Sequence, residues 1–312
     1  MVSGPPPRPA PPESGAARLK RRVGRHVRWA REQGVGRLIE EDQLNPFERI
    51  PLAAAKRSWR RAHHVAPDAV PIFVVGVQRS GTNMLVRGFE HAPEFEVRSE
   101  NDREAFDRFH LRPEATIRAL VERSGQAYVL FKPLIDSHRV LELLDGLDTP
   151  SPGRAIWAYR DVDGRVRSAV AKFGDSNLQA LRQIAAGRSD LWQAGGLSAE
   201  RLAFLRSFDL AGMTAESGAA LFWFLRNQLF FDLGLERRPD VALADYGATV
   251  DDPASAIHRL CAFLDFPYRP ELAAHIDRRA AGAKPPLELD ARVRAACTEL
   301  EARLAAAYGA AT

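Results

Sequence analysis

The chain has 312 residues, 46% of them hydrophobic and 27% charged, with a formal net charge of +4. That length fits one large domain, or one domain with appendages, and the hydrophobic share suits a packed globule. No apolar run approaches the roughly 18 residues of a membrane span, and two cysteines, Cys261 and Cys297, cannot make a disulfide framework.

Residues 1–17 are rich in proline and read as an extended, disordered tail. No apolar segment of a signal peptide stands at the N-terminus, so a cytoplasmic protein is expected. Residues 18–65 read as a basic helical extension. Within it, Arg18 to Arg31 carries Leu19, Val23, Val27 and Trp29 partly at helical spacing. Such a stretch can lie on an anionic membrane or nucleic acid, or pack on the domain as a solvated amphipathic helix. The narrow apolar stripe favours packing, so peripheral membrane contact is the secondary expectation and nucleic acid is not expected. The domain proper is expected to span 66–312.

Ile72 to Val75 is an apolar run that breaks at Gly76, passes a short polar loop and re-enters an apolar pattern at Met84. This predicts a buried strand, a tight turn and a helix over Thr82–Glu90. Gly76 and Gly81 bracket the turn, and Arg79, Ser80 and Thr82 supply donors. Backbone N–H groups at a helix N-terminus, backed by the helix dipole, form an anion site. The glycine spacing matches the nucleotide-triphosphate loop G-x-x-x-x-G-K-[ST], but Thr82 follows Gly81 directly and the cation stands earlier, at Arg79.

Further strands are expected at Phe95–Arg98 and Tyr128–Phe131, with helices at Glu104–Phe109, Glu114–Glu122 and Val140–Leu144. A fourth strand, Ala155–Tyr159, ends at Arg160 and runs into a helix over Gly164–Lys172 that Asp161 or Asp163 can cap. Ser168 then lies one to two turns inside that helix. A guanidinium at a strand end and a hydroxyl on the adjacent helix can clasp one phosphate from two sides. Residues 176–231 lack strand signals and read as a helical cap. Trp192, Phe204, Phe208, Phe222, Trp223 and Phe224 within it either line a pocket or form core, and core is preferred. A last strand, Val241–Ala244, precedes a helix over Ser255–Leu264. Residues 287–308 form an amphipathic helix with Val293, Leu300 and Leu304 inward. Both cysteines sit in apolar helical patterns and are expected as buried thiols without a metal.

Strands alternating with helices predict an α/β fold in three layers, with a central parallel sheet and helices on both faces. The architecture is similar to the P-loop NTPases, with the helical cap and N-terminal helical extension added. Ligands of such sheets collect at the carboxyl ends of the strands, where both anion segments stand.

These two segments together resemble the sulfotransferases that use 3′-phosphoadenosine-5′-phosphosulfate. The family's loop reads P-[KR]-S-G-T-[ST], and Gln78-Arg79-Ser80-Gly81-Thr82-Asn83 matches it with Gln for Pro and Asn for the last hydroxyl residue. The resemblance implies that Arg79, Ser80, Gly81, Thr82 and Asn83 hold the 5′-phosphosulfate. It also implies that Arg160 and Ser168, eight residues apart, hold the 3′-phosphate. A weaker match covers Val241 to Pro253, where an acidic turn and Asp252-Pro253 start a helix. The resemblance spans roughly residues 70–270. It implies in-line sulfuryl transfer to a hydroxyl or amine acceptor, with 3′,5′-bisphosphoadenosine as product and no metal.

In that scheme Arg79 and the loop amides steady the departing phosphate, and Lys132 at a strand end is the second cation. Many cytosolic members carry a histidine two residues after this lysine; here that position is Leu134. His138 lies farther on and reads as structural. Glu100 is the preferred base, with Asp102 competing. Protein-tyrosine sulfotransferases are loosely similar at His91-Ala-Pro93 and Ser99-Glu100. The acceptor is a small molecule, carbohydrate, lipid or protein tyrosine, and the oligomeric state is left open. The alternatives are a P-loop kinase or nucleotide-binding protein without sulfotransferase activity, and a non-catalytic protein docking through Arg18–Arg31.

Overall fold

The structure is a computed structural model that describes residues 46–63, 68–278 and 285–310. The expected tail 1–17, the basic stretch Arg18–Arg31 and the domain start near Ala66 lie outside these residues. Two compact units divide the chain at 54/55. Of the first, the described part is the start of the helix Pro46–Ala62.

The larger unit is built on five parallel strands. These are β1 (Val70–Gly76), β2 (Phe95–Arg98), β5 (Tyr128–Phe131), β6 (Arg154–Tyr159) and β7 (Val241–Asp245), in the order β2–β5–β1–β6–β7. The sequence expectation starts the first strand at Ile72, after a proline that cannot donate to a ladder. The strand in fact begins at Val70, whose N–H donates to the Ala127 carbonyl at 2.9 Å, so Pro71 sits at the strand's opening.

Alternation along the strands divides the core in two. Phe73 and Val75 of β1, Phe131 of β5 and Trp157 and Tyr159 of β6 face one layer, with the helices Ala215–Asp232 and Ala291–Ala310. Ile72 and Val74, Leu130, Ile156 and Ala158 face the other, with the helices Thr82–Glu90 and Pro253–Phe263. The helix Ala215–Asp232 is buried on all sides, as an apolar helix without a polar face must be. Phe222 and Trp223 lie in that core, and Val293, Cys297, Leu300 and Leu304 face inward from the last helix. Both cysteines are buried and unpaired, and burial pushes the Cys297 thiol up to about 12.

One expected element is corrected. The segment read as a helix over Glu104–Phe109 is a hairpin, β3 (Phe106–Asp107) paired antiparallel with β4 (His110–Leu111). Its two central residues, Arg108 (φ 49°) and Phe109 (φ 73°), are both left-handed, the conformation of tight two-residue hairpins. That turn type favours Asn-Gly, and Arg-Phe gives no such signal. The 176–231 region is helical as expected, with helices Ser176–Ala185, Ala199–Arg206 and Ala215–Asp232. Among the described residues, no helix is long and apolar enough to cross a membrane.

Candidate functional site

The site is assembled at the carboxyl ends of β1, β6, β5 and β2. Strand β1 ends at Gly76, at φ 122°, where the Ala158 carbonyl of β6 leaves no space for a Cβ. The Gly76 N–H donates to Ser137 Oγ at 2.9 Å, and that hydroxyl donates to the Leu134 carbonyl at 2.8 Å. The turn that follows passes through Arg79 (φ 73°) and Gly81 (φ 83°), both left-handed. A Cβ on Gly81 would meet the Tyr246 ring at 2.5 Å.

The helix Thr82–Glu90 starts at this turn with no side-chain cap and no acidic residue in its first turn. Its leading N–H groups therefore face the turn with the positive end of the helix dipole behind them. Ser80 and Thr82 are buried, and Ser80 Oγ has no hydrogen-bond partner. A buried hydroxyl without a partner costs stability unless something binds it.

The second segment lies against the first. Strand β6 delivers Arg160, and the helix Val162–Phe173 begins at Asp161, whose Oδ1 accepts the Gly164 N–H at 2.5 Å. Asp161 is thus the cap. Asp163 instead pairs with Arg294 Nη2 at 2.8 Å. The Arg160 guanidinium stands 4.1 Å over the Tyr246 ring, and its Nε is buried without a hydrogen-bond partner. Asp161 Oδ2 is 3.6 Å from that nitrogen. Gly81 and Arg160 therefore both pack on one aromatic ring. Ser168 Oγ accepts from Arg79 Nε at 2.9 Å, so the two anion segments are in direct contact.

Lys132 and Glu100 meet on the β5–β2 side. Lys132 follows β5, is 7% exposed, and its Nζ donates to Asn83 Oδ1 at 2.5 Å. Glu100 Oε2 lies 3.5 Å from that Nζ. Burial pushes the Glu100 carboxyl up; Lys132 opposes this, and the charge of Asp136 adds to it. Asp102 is engaged elsewhere: its Oδ1 accepts the N–H groups of Glu104 (2.8 Å) and Ala105 (3.2 Å), and its Oδ2 meets Arg98 Nη1 at 3.1 Å. Glu100, not Asp102, faces the lysine.

Other expected residues do not join. The His138 ring packs against Gly195 and Gly196, and burial, with the Arg226 charge, holds its pKa down. His91 follows the far end of the helix Thr82–Glu90, edge-on to His275 and about 13 Å along the axis from the loop.

Three residues at the site carry no role in the sequence reading. Ser137 braces Gly76, Tyr246 packs on both Gly81 and Arg160, and Arg165 donates from Nε to the Gln78 carbonyl at 3.3 Å. Arg165 is 0% exposed, and its pKa is lowered to about 9 by burial and then by the Arg79 charge. The available signal was spacing: Arg165 stands three residues before Ser168, on the same helical face.

No family model matches the chain, and no curated protein matches it. Solved structures of similar architecture include sulfotransferases. The sulfotransferase domain of the Synechococcus PCC 7002 olefin synthase is 15% identical, over 76% of this chain and 95% of that one, with a TM-score of 0.44. The sulfotransferase domain of the curacin biosynthetic pathway is 13% identical over 75% and 98%, at 0.45. The sulfotransferase from Alicyclobacillus acidocaldarius is 16% identical over 77% and 94%, at 0.41. At these identities and TM-scores the likeness decides neither donor nor acceptor.

Proposed function

We propose that the chain is a sulfotransferase that moves a sulfuryl group from 3′-phosphoadenosine-5′-phosphosulfate to a hydroxyl or amine acceptor. The observation that carries this reading is the 2.9 Å contact between Arg79 and Ser168, which joins the two segments read as phosphate sites. The residues present fit such a ligand. Ser80 Oγ and Arg160 Nε are buried polar atoms without hydrogen-bond partners, and the helix start at Thr82 is uncapped.

Arg79, Ser80, Thr82, Asn83 and the Gly81 amide would hold the 5′ side, and Arg160 with Ser168 the 3′-phosphate. Ser168 accepts from Arg79 and keeps its own proton for a phosphate oxygen. When bound, the donor supplies a sulfuryl group on a phosphate leaving group. The protein's share of the work is alignment and charge stabilisation. Lys132 Nζ, oriented by Asn83, places a positive charge beside the loop. Glu100, raised by its burial, takes the acceptor's proton at a carboxylate oxygen. The acceptor class, whether small molecule, carbohydrate, lipid or protein tyrosine, belongs to this proposal as an open set.

A P-loop kinase would need a lysine between Gly81 and the hydroxyl residue, and Thr82 occupies that place. The deciding experiment incubates the protein with sulfur-labelled donor and a panel of these acceptors. Label transferred by the wild type and lost in Glu100→Gln supports the reading. Transfer of phosphate from ATP in place of sulfate, at the same site, overturns it.

A further inference from the structure

Arg165 is wholly buried, yet its hydrogen-bond partners are all uncharged oxygens, and the one ring beside its guanidinium, Phe222 at 5.2 Å, is neutral. Nη1 donates to Asn177 Oδ1 at 3.0 Å and to the Ala219 carbonyl at 2.9 Å, and Nε donates to the Gln78 carbonyl at 3.3 Å. Nη2 is buried with no hydrogen-bond partner. Among the described residues no carboxylate pairs with this guanidinium, and the charge that acts on it is that of Arg79, another cation. Removing one buried charge from water without a counter-charge is strongly unfavourable. Keeping it next to a second cation is more so, unless the pair serves an anion.

The Gln78 carbonyl belongs to the peptide unit that leads into Arg79. Anchoring that oxygen fixes the plane from which the Arg79 φ of 73° is measured, a left-handed setting that a non-glycine residue keeps only under constraint. The same helical face then takes the Arg79 side chain on Ser168, three residues on. Two contacts from one helix thus hold the backbone and the guanidinium of the loop's cation. In the loop pattern this chain resembles, position 78 is proline, whose ring restrains its own φ. Glutamine supplies no such restraint.

We propose that Arg165 is the positioning residue of the phosphate loop: from inside the core it holds the Gln78–Arg79 peptide so that Arg79 is presented to a 5′-phosphate, replacing the restraint lost with proline. This inference rests on the donor reading above. Asn177 and the Ala219 carbonyl are its anchors.

The test is calorimetric titration of the full chain with 3′,5′-bisphosphoadenosine and with adenosine 3′-monophosphate, which lacks the 5′ group. Arg165→Lys keeps the charge but cannot span Gln78, Asn177 and Ala219 together. It is expected to weaken the bisphosphate about tenfold or more, and the 3′-monophosphate less than about threefold, a loss confined to the 5′ group. Adding Gln78→Pro to Arg165→Lys is expected to recover part of that loss, whereas Gln78→Pro alone changes little. Should Arg165→Lys not fold, Asn177→Ala removes one anchor only and is expected to shift the same ratio in the same direction by a few-fold. An arginine that merely fills the core would lower the melting temperature and leave the ratio of the two affinities at its wild-type value. That result, in whichever variant folds, overturns the inference while the donor reading stands. A wild type that binds neither nucleotide sinks both.

Discussion

Glu100 and Lys132 form an ion pair at 3.5 Å in a largely buried setting, and their chemistry follows from that setting. Burial raises the Glu100 carboxyl above the ordinary glutamate range, and Lys132 only partly opposes it. A base works in its ionised form, so turnover is expected to rise with pH through this raised value and to level off above it. Glu100→Gln should remove that acid limb and lower kcat by about 10²–10⁴ with donor affinity little changed. A pH–rate profile of the two proteins checks it, and unchanged turnover removes Glu100 from the mechanism. The stability sign is opposite. Folding takes up a proton between the ordinary value and the raised one, so this contribution is complete below the former and lost as pH rises through the latter. Glu100→Gln should flatten that loss in urea unfolding at different pH. In the proposed function Arg160 and Ser168 act on binding instead. Arg160→Ala should weaken 3′,5′-bisphosphoadenosine by about 2–4 kcal/mol, and Ser168→Ala by about 1 kcal/mol, in calorimetric titration.

At the level of elements, the loop 77–81 depends on what packs behind it. Gly81 is left-handed and lies against the Tyr246 ring, so Gly81→Ala strains the backbone and displaces the ring that Arg160 stacks on. About 1–3 kcal/mol of stability should be lost, together with donor affinity. Thermal unfolding with and without bisphosphate separates the two. Asp161→Ala removes the cap of the helix Val162–Phe173 and should cost about 0.5–2 kcal/mol. These elements were legible in the chain because Gly76, Gly81 and Arg160 mark abrupt breaks after apolar runs. The hairpin at 106–111 was not, since its left-handed Arg108 and Phe109 carry no turn chemistry of their own. Arg165, for which spacing from Ser168 was the one signal, was missed for a related reason. An arginine on a helix reads as a solvated charge until packing shows that its face points at Gln78.

Across the whole molecule, five parallel strands place four segments distant in sequence at one sheet edge: the turn after β1, the residues after β2, the end of β5 and the end of β6. Periodicity revealed each strand, and the alternation of β1 into two cores follows from its pattern of Ile72, Phe73, Val74 and Val75. Contact across that edge, Arg79 to Ser168 and Lys132 to Glu100, needs the strand order, which no local pattern contains. The central claim is that this edge binds one nucleotide by two phosphates. Calorimetric titration of the wild type with 3′,5′-bisphosphoadenosine, against ATP with Mg²⁺, tests it most directly. The account predicts saturable one-to-one binding of the bisphosphate, weakened by Arg79→Ala and by Arg160→Ala alike, with ATP–Mg²⁺ far weaker. Binding of ATP–Mg²⁺ alone, or bisphosphate binding indifferent to both arginines, would contradict it.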